Sequence, residues 1–210
     1  MKNIDKEYQT LVFQSISHDL KTPIAVIKSH LEAVQDGMIS NEEFQNVVRT
    51  QVNTLEFKVN SLIYSNKLNY LQDLKIYRHS EIDIEPIIKN SIDKFKYRRP
   101  EIVYNVKVTD NTVFKGTEDA WETIIDNMLN NFMRYADSEI KITVKNHQVI
   151  LFNDGPEIDV NILNTVFDPY KKGMNGLFGL GLSIIKRTIN MLGYEMTVIN
   201  EKKGISFKIY

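Results

Sequence analysis

Residues 15–26 read SISHDLKTPIAV. This stretch is part of a regular spacing of apolar residues that predicts the fold of the N-terminal third of the chain. Around it, apolar residues recur at steps of three and four: Phe13, Ile16, Leu20, Ile24, Ile27, Leu31 and Val34. This spacing places them on one stripe of a long helix. We therefore predict a first helix over about residues 4–36.

A second helix is expected directly after the first. Gly37 is suited to end the first helix, and Ser40 with Glu43 three residues later is typical of a capping box. The apolar stripe then continues to about residue 70 through Phe44, Val48, Val52, Leu55, Val59 and Leu62. Two such helices form an antiparallel hairpin that cannot cover its own stripe, so we expect a homodimer with a four-helix bundle.

A helix turns by about 100° per residue, and this rotation places His18 away from the apolar stripe. Its side chain is therefore expected to face solvent. Asp19 follows it, Thr22 lies one turn further on, and Pro23 removes a backbone donor and should bend the helix. One interpretation is a solvated polar face with an incidental histidine. The other is chemical, because imidazole is a nucleophile and a neighbouring carboxylate can orient the ring and accept its proton.

Composition excludes several classes of function. The 26 basic and 27 acidic residues leave a net charge of -1, so neither nucleic acid nor anionic lipid is expected as a main partner. The absence of cysteine excludes a disulfide framework and a thiolate metal site. No run approaches the ~20 apolar residues of a membrane span, and the N-terminus lacks the apolar core of a secretory signal.

The pattern changes after residue 72, where short β-rich runs alternate with helical stretches. The runs include LKIYRH, EIVYNVKV, EIKITVKN and HQVILFN, and the helical stretches lie at about 84–97, 117–136 and 180–192. Asn146 and His147 separate two alternating runs and predict a β-hairpin. We expect an α+β protein of two domains, 1–72 and 73–210.

The order of histidine, acid, two residues, threonine and proline in SHDLKTP resembles the H box of sensor histidine kinases. In that family a dimeric hairpin carries the phospho-accepting histidine, so the resemblance implies phosphoryl transfer to His18 with Asp19 as orienting base. Thr22 is a candidate to hold a water near a phosphoryl group on the partner protein. The catalytic candidates in the hairpin are therefore His18, Asp19 and Thr22.

The helical stretch DNMLNNFMRYA places Asn127, Asn131 and Arg134 on one face by their spacings of four and three. A carboxamide oxygen is a suitable ligand for Mg²⁺, and an arginine one turn away can reach phosphate oxygens. A solvated face rich in asparagine is the plain alternative. The stretch is similar to the family's N box, which implies Asn131 as the magnesium ligand, Asn127 beside the phosphates, and Arg134 and Tyr135 at the usual basic and aromatic positions.

FNDGPEI follows an expected strand, and its Gly155 and Pro156 predict a turn that could bring the backbone at Gly155 close to a flat ligand such as a nucleotide base. It resembles the family's G1 box, in which an aspartate two residues before the first glycine accepts a hydrogen bond from the adenine amino group. Asn153 stands in that position, and its oxygen can accept the bond without the charge that strengthens it. Asp154 is the contact if the register is shifted by one, and Glu157 occupies the place of the second family glycine.

VFDPYKKGMNGLFGLGLSI contains glycines 173, 176, 179 and 181 before a helix. Such glycines can present backbone N–H groups to phosphate and let a segment move as a lid. The order of FDPY and GLGLSI is similar to the family's F and G2 boxes, although Leu177 replaces a usual glycine, and Gly204 matches a last glycine box. The implied nucleotide contacts are Lys171, Lys172, Gly179, Leu180 and Gly181.

The resemblance spans about residues 10–208 with the motifs in the family's order. It implies an α/β sandwich shared with DNA gyrase and mismatch-repair ATPases, with ATP and Mg²⁺ as cofactors. It also implies autophosphorylation of His18, transfer to an aspartate of a response-regulator receiver domain, and removal of phosphate from that regulator. The chain is then expected to be the cytoplasmic portion of an inner or plasma membrane sensor, with a soluble kinase as the alternative.

Two other functions remain open on the sequence alone. The first is a degenerate signalling module with a phosphatase or binding role and weak ATP binding, because of the departures at Asn153, Glu157 and Leu177. The second is a gyrase-like ATPase without histidine transfer, which leaves the H-box stretch unexplained.

Overall fold

A computed structural model describes residues 2–71, 80–109, 111–161, 163–167 and 181–210 of the chain. The side chains of His18 and Asp19 lie outside this description, as do the expected strand LKIYRH and the expected domain boundary at 72/73. The chain divides into two compact units, one built on the helices near the N-terminus and one on a β-sheet. No helix among the described residues is long and apolar enough to cross a membrane.

The first unit is built on two long helices, α1 (Lys2–Gln35) and α2 (Asn41–Leu71). Gly37 follows α1 with a φ of +72°, a left-handed conformation that favours glycine. The Glu43 N–H donates to Ser40 Oγ at 3.1 Å and caps the first turn of α2. Both predicted helices, with their end and start signals, are confirmed.

Part of the apolar stripe of the two helices is uncovered. The described side chains that remain exposed by two-fifths or more are Ile24, Leu31, Val52, Val59 and Ile63. Pro23 is buried and lies inside α1, which continues through it. An uncovered stripe of this kind is what the predicted dimer would bury.

The second unit contains a five-stranded sheet in the order β2-β4-β5-β7-β6. Its strands are β2 (Val103–Val108), β4 (Glu139–Lys145), β5 (Gln148–Asn153), β6 (Met196–Asn200) and β7 (Ile205–Ile209). β2 pairs with β4 in parallel, and the other pairs are antiparallel. A separate pair of short strands is formed by β1 (Glu81–Asp83) and β3 (Val113–Lys115).

Three helices complete the core of this unit: α3 (Glu85–Phe95), α4 (Glu118–Tyr135) and α5 (Gly181–Leu192). Their apolar stripes pack with the inward-facing strand residues, and Trp121, Phe132 and Phe207 are almost fully buried. The predicted α+β architecture is therefore confirmed.

The hairpin between β4 and β5 turns at Asn146 and His147, whose φ angles of 50° and 54° are those of the expected two-residue turn.

Strand β5 carries a polar residue into the core. Val149 and Leu151 are fully buried on its inward face, and alternation puts Asn153 on that same face with only 2% of its surface exposed. Asp154 directly after the strand is only partly buried. This alternation favours Asn153 over Asp154 as the residue directed to the interior.

Candidate functional site

Helix α4 carries the asparagine face predicted from the sequence. Thr117 caps its start, with the hydroxyl oxygen accepting a hydrogen bond from the Ala120 N–H at 3.4 Å. Asn127 lies among the buried residues of this helix, and Asn131 is half-buried one turn later. Arg134 is exposed in the last turn, with its guanidinium 6.0 Å from the centre of the Tyr135 ring.

Of the two polar groups in the Asn127 carboxamide, only the NH₂ group has a hydrogen-bond partner among the described residues. Its Nδ2 donates to the Thr123 carbonyl at 2.8 Å, whereas the Oδ1 is buried and has no hydrogen-bond partner among the residues that the structure describes. A buried acceptor without a partner costs about 1–3 kcal/mol, so each such atom in a native structure requires an explanation. This oxygen is suited to a donor or a cation that the described residues do not supply.

The start of α5 approaches this oxygen. A Cβ built on Gly181, the first residue of α5, would lie 3.5 Å from Asn127 Oδ1. The first turn of a helix has backbone N–H groups without intrahelical partners and favours phosphate. The fold thus places a helix N-terminus beside the asparagine face of α4.

The end of β5 is packed tightly against the end of α4. A Cβ on Gly155 would lie 2.0 Å from the Tyr135 carbonyl oxygen, so only glycine fits there. The Gly155 N–H donates to Asn153 Oδ1 at 3.0 Å. On the other side, a Cβ on Gly204 would lie 2.1 Å from the Asn153 carbonyl oxygen, and its φ of +101° also requires glycine.

The carboxylate of Asp154 accepts hydrogen bonds from other residues of the chain. It accepts hydrogen bonds from the backbone N–H groups of Asp137, Ser138 and Glu139 and from the Ser138 hydroxyl. Burial raises the pKa of Asp154, but the bonds from Ser138 and from the three backbone N–H groups outweigh it and lower the pKa to about 2. Asp154 is predicted from the sequence as a nucleotide contact, whereas its carboxylate is bound by Ser138 and its neighbours. The alternation along β5, which places Asn153 and not Asp154 on the buried face, is the signal for this difference.

The described residues fit a nucleotide with Mg²⁺. No group of three or more His, Cys, Asp and Glu side chains in the described part of the chain could hold a metal ion. Mg²⁺ is commonly held by one or two protein oxygens together with substrate phosphates, and the carboxamides of Asn127 and Asn131 are oxygen donors of that kind. Four of the predicted nucleotide contacts lie outside the described residues: Lys171, Lys172, Gly179 and Leu180.

The catalytic candidates of the first unit lie on one helix. His18 and Asp19 belong to α1, and Thr22 is exposed one turn further along it, next to the buried Pro23. A nucleophile and a hydroxyl four residues apart on a helix share one face. The predicted arrangement is therefore compatible with α1.

Two family models match the chain in succession. Residues 8–70 match the His Kinase A (phospho-acceptor) domain, and residues 116–210 match the histidine kinase-, DNA gyrase B-, and HSP90-like ATPase domain. The chain belongs to the sensor histidine kinases. The resemblance inferred from the H, N and glycine boxes is thereby confirmed, and the two domains are those of a protein histidine kinase whose second domain is of an ATP-binding family.

Curated sensor kinases are similar over almost the whole chain. The sensor histidine kinase CssS of Bacillus subtilis (strain 168) is 32% identical over 210 residues, which cover 97% of this chain and 46% of CssS. The sensor protein kinase WalK of Staphylococcus epidermidis is 24% identical over 90% of this chain and 33% of WalK. The chain therefore spans less than half the length of these histidine kinases.

Solved histidine kinases share the fold. The histidine kinase AdeS of Acinetobacter baumannii superposes with a TM-score of 0.65 at 23% identity, covering 91% of this chain and 95% of that one. The histidine kinase ThkA, solved in complex with the response regulator protein TrrA, gives a TM-score of 0.67 at 16% identity and covers 97% of this chain and 62% of that one. Likeness at these identities supports the fold alone.

Proposed function

We propose that this chain binds ATP with Mg²⁺ in its sheet domain, phosphorylates His18, and passes the phosphoryl group to an aspartate of a response-regulator receiver domain. The observation that supports nucleotide binding is the buried Oδ1 of Asn127, which lies beside the start of α5 at Gly181 and has no partner in the described part of the chain. Family membership supports the transfer half.

Each residue has a role in this proposal. MgATP supplies a γ-phosphoryl group with its negative charge partly offset by the metal. Asn131 would hold the metal, Asn127 would lie beside the phosphates, and Arg134 would contact phosphate oxygens. A ring nitrogen of His18 forms the new N–P bond as the P–O bond to ADP breaks, and Asp19 takes the proton from the other ring nitrogen.

Dimerisation belongs to the same proposal. The exposed apolar residues of α1 and α2 support a four-helix bundle in which two copies of this chain bury their stripes. A receiver domain would then dock beside His18, since the phosphoryl group must reach its aspartate.

The alternative of a degenerate module rests on three departures, of which two lie among the described residues. Glu157, in the place of the second glycine, is exposed, and the Gly155 turn keeps its close approach to Tyr135 beside it. Asn153 retains an acceptor oxygen on the buried face of β5. Leu177 lies outside the described residues.

Calorimetry with MgATP, followed by labelling with γ-labelled ATP, tests the proposal. We expect saturable binding and an acid-labile, base-stable label on the chain. A degenerate module would bind weakly and take up no label, whereas a gyrase-like ATPase would bind and hydrolyse ATP without retaining label. Either result would refute histidine phosphorylation by this chain.

Two changes at Asn153 should have different effects on ATP affinity. Asn153→Asp should keep or raise the affinity, because a carboxylate accepts the adenine amino hydrogen bond more strongly. Asn153→Ala should lower it by the ~1–3 kcal/mol of a buried donor left without a partner. Calorimetric Kd values check both, with Asn161→Ala, in the exposed loop after β5, as the control. Lower affinity in Asn153→Asp would contradict a base contact here.

Thr22→Ala should separate two activities. Dephosphorylating a partner requires a water aimed at its phospho-aspartate, and a hydroxyl one turn from His18 can hold that water, whereas phosphoryl transfer from ATP does not require it. Autophosphorylation should stay within a few-fold while removal of phosphate from the regulator falls strongly, and Asp19→Asn should do the reverse.

The control for Thr22→Ala is Ser29→Ala, which removes an exposed hydroxyl two turns further along α1. Thr22 has a structural alternative, in which its hydroxyl only caps the backbone near Pro23. In that case both activities would fall together with the melting temperature, and a thermal melt beside the two assays would reveal it.

A further inference from the structure

We propose that Asp154 is a positioning residue: it ties the end of β5 to the turn after α4 and thereby sets the orientation of the Asn153 carboxamide. The nucleotide consequence rests on the proposed function, in which Asn153 contacts the base. Asp154 itself then contacts no nucleotide, because its carboxylate is already engaged by the chain.

The tie between the two segments is reciprocal. Asp154 Oδ1 accepts from the N–H groups of Asp137, Ser138 and Glu139, each at 3.0 Å, and Oδ2 accepts from the Ser138 hydroxyl at 2.6 Å and its N–H at 3.1 Å. In return, the Asp154 N–H donates to the Glu139 carbonyl at 3.2 Å. Both the side chain and the main chain of residue 154 are therefore held by the segment that leaves α4.

Gly155 connects this hydrogen-bonded tie to the side chain of Asn153. With residue 154 held, the Gly155 N–H has little freedom, and this N–H is the donor to Asn153 Oδ1 at 3.0 Å. Gly155 is also confined by the Tyr135 carbonyl, against which no Cβ fits. The orientation of the buried carboxamide thus depends on where Asp154 holds the turn.

The negatively charged carboxylate of Asp154 suits this geometry. All the bonds to its carboxylate are donated by the surroundings, and a carboxylate accepts on both oxygens. An asparagine offers one acceptor and one NH₂ donor. With the NH₂ group in place of Oδ2, the Ser138 N–H at 3.1 Å would face a donor, and the Ser138 hydroxyl would have to turn and accept. Asp154→Asn therefore disturbs the tie while keeping the size of the side chain.

The expected kinetic effect is a change of affinity without a change of chemistry. Asp154→Asn should raise the Kd for MgATP about tenfold, the size expected when one hydrogen bond is misplaced, while the labelling rate at saturating ATP stays within about twofold. Loss of folded protein alone would lower the rate and leave the Kd unchanged. Asp137→Asn is the matched control, because residue 137 contributes only its backbone N–H to the tie.

A double-mutant cycle tests whether Asp154 acts through Asn153. In the background of Asn153→Ala, Asp154→Asn should cause no further loss of ATP affinity, since the carboxamide it orients is gone. Full additivity of the two changes, or an unchanged Kd in Asp154→Asn, would overturn the proposal.

A measurement without nucleotide separates this inference from the proposed function. The side-chain NH₂ signals of Asn153 in a ¹⁵N correlation spectrum should shift in Asp154→Asn and stay in place in Asp137→Asn, and unmoved signals in both would overturn the positioning role. Failure of the wild-type chain to bind MgATP would refute the nucleotide site, whereas the NMR result would still decide whether Asp154 orients Asn153.

Because the pKa of Asp154 is low, the stability difference between the wild type and Asp154→Asn should depend on pH. A carboxyl group whose folded pKa is lowered from 3.8 to about 2 contributes stability that is fully present above 3.8 and is lost as the pH falls towards 2. The difference in urea midpoint between the wild type and Asp154→Asn should therefore be constant near neutrality and narrow between pH 4 and pH 2. A constant difference across that window would contradict an ionised Asp154 in this tie.

Discussion

His18→Gln is expected to abolish incorporation of phosphate from ATP into the chain. Glutamine has no nucleophilic ring nitrogen, and it is at least as good a helix former as histidine, so α1 should remain intact. Acid-labile, base-stable label should fall to background, whereas the Kd for MgATP and the oligomeric state should stay as in the wild type. Those two measurements separate loss of the nucleophile from loss of the fold.

The chain offers a matched control for this change. His30 lies on the same helix, where its Nδ1 is 2.8 Å from the Val26 carbonyl oxygen. His30→Gln makes the same substitution at a second position of α1 and should keep the label. Label that persisted in His18→Gln and disappeared in His30→Gln would place the nucleophile at His30 and contradict the H-box assignment.

Asn131→Ala is expected to remove the magnesium-dependent part of ATP binding. Asn131 is half-buried one turn from Asn127, whose buried Oδ1 has no partner among the described residues, and the i, i+4 spacing puts the two residues on one face of α4. Changes around metal sites typically lower metal affinity by ~10- to 100-fold, and loss of a ligand should reach at least that range. Calorimetry with and without Mg²⁺ measures the effect directly.

Asn130→Ala is the control for this prediction. It removes the same side chain from the neighbouring position of α4, which points about 100° away from the Asn131 face. We expect near wild-type affinity and an unchanged dependence on Mg²⁺. Equal losses in both variants would indicate helix destabilisation, and an unchanged Asn131→Ala variant would show that the metal is held elsewhere.

Much of the architecture follows from local spacing. The two long helices were predicted from apolar residues at steps of three and four, and their junction from Gly37 and the Ser40–Glu43 cap. The β4–β5 hairpin was predicted from alternation on either side of Asn146. These features depend on residues a few positions apart, so the sequence suffices to predict them.

The family was also evident from the sequence. The H, N and glycine boxes occur in a fixed order over the chain, and the two family models at 8–70 and 116–210 confirm that interpretation. The order of motifs is a property of the linear chain, and it needs no knowledge of how strands pair.

By itself, then, the sequence determined the helices, the hairpin turn, the domain order and the kinase motifs. The tertiary structure alone decided the parallel β2–β4 pairing, the approach of Gly181 to Asn127 and the attachment of Asp154 to the turn at Ser138. Asp154 and Ser138 are 16 residues apart, and the strand pairing brings them together. Spacing along the chain predicts which residues share a face, but contacts between faces depend on how distant elements pack and in which register their strands pair.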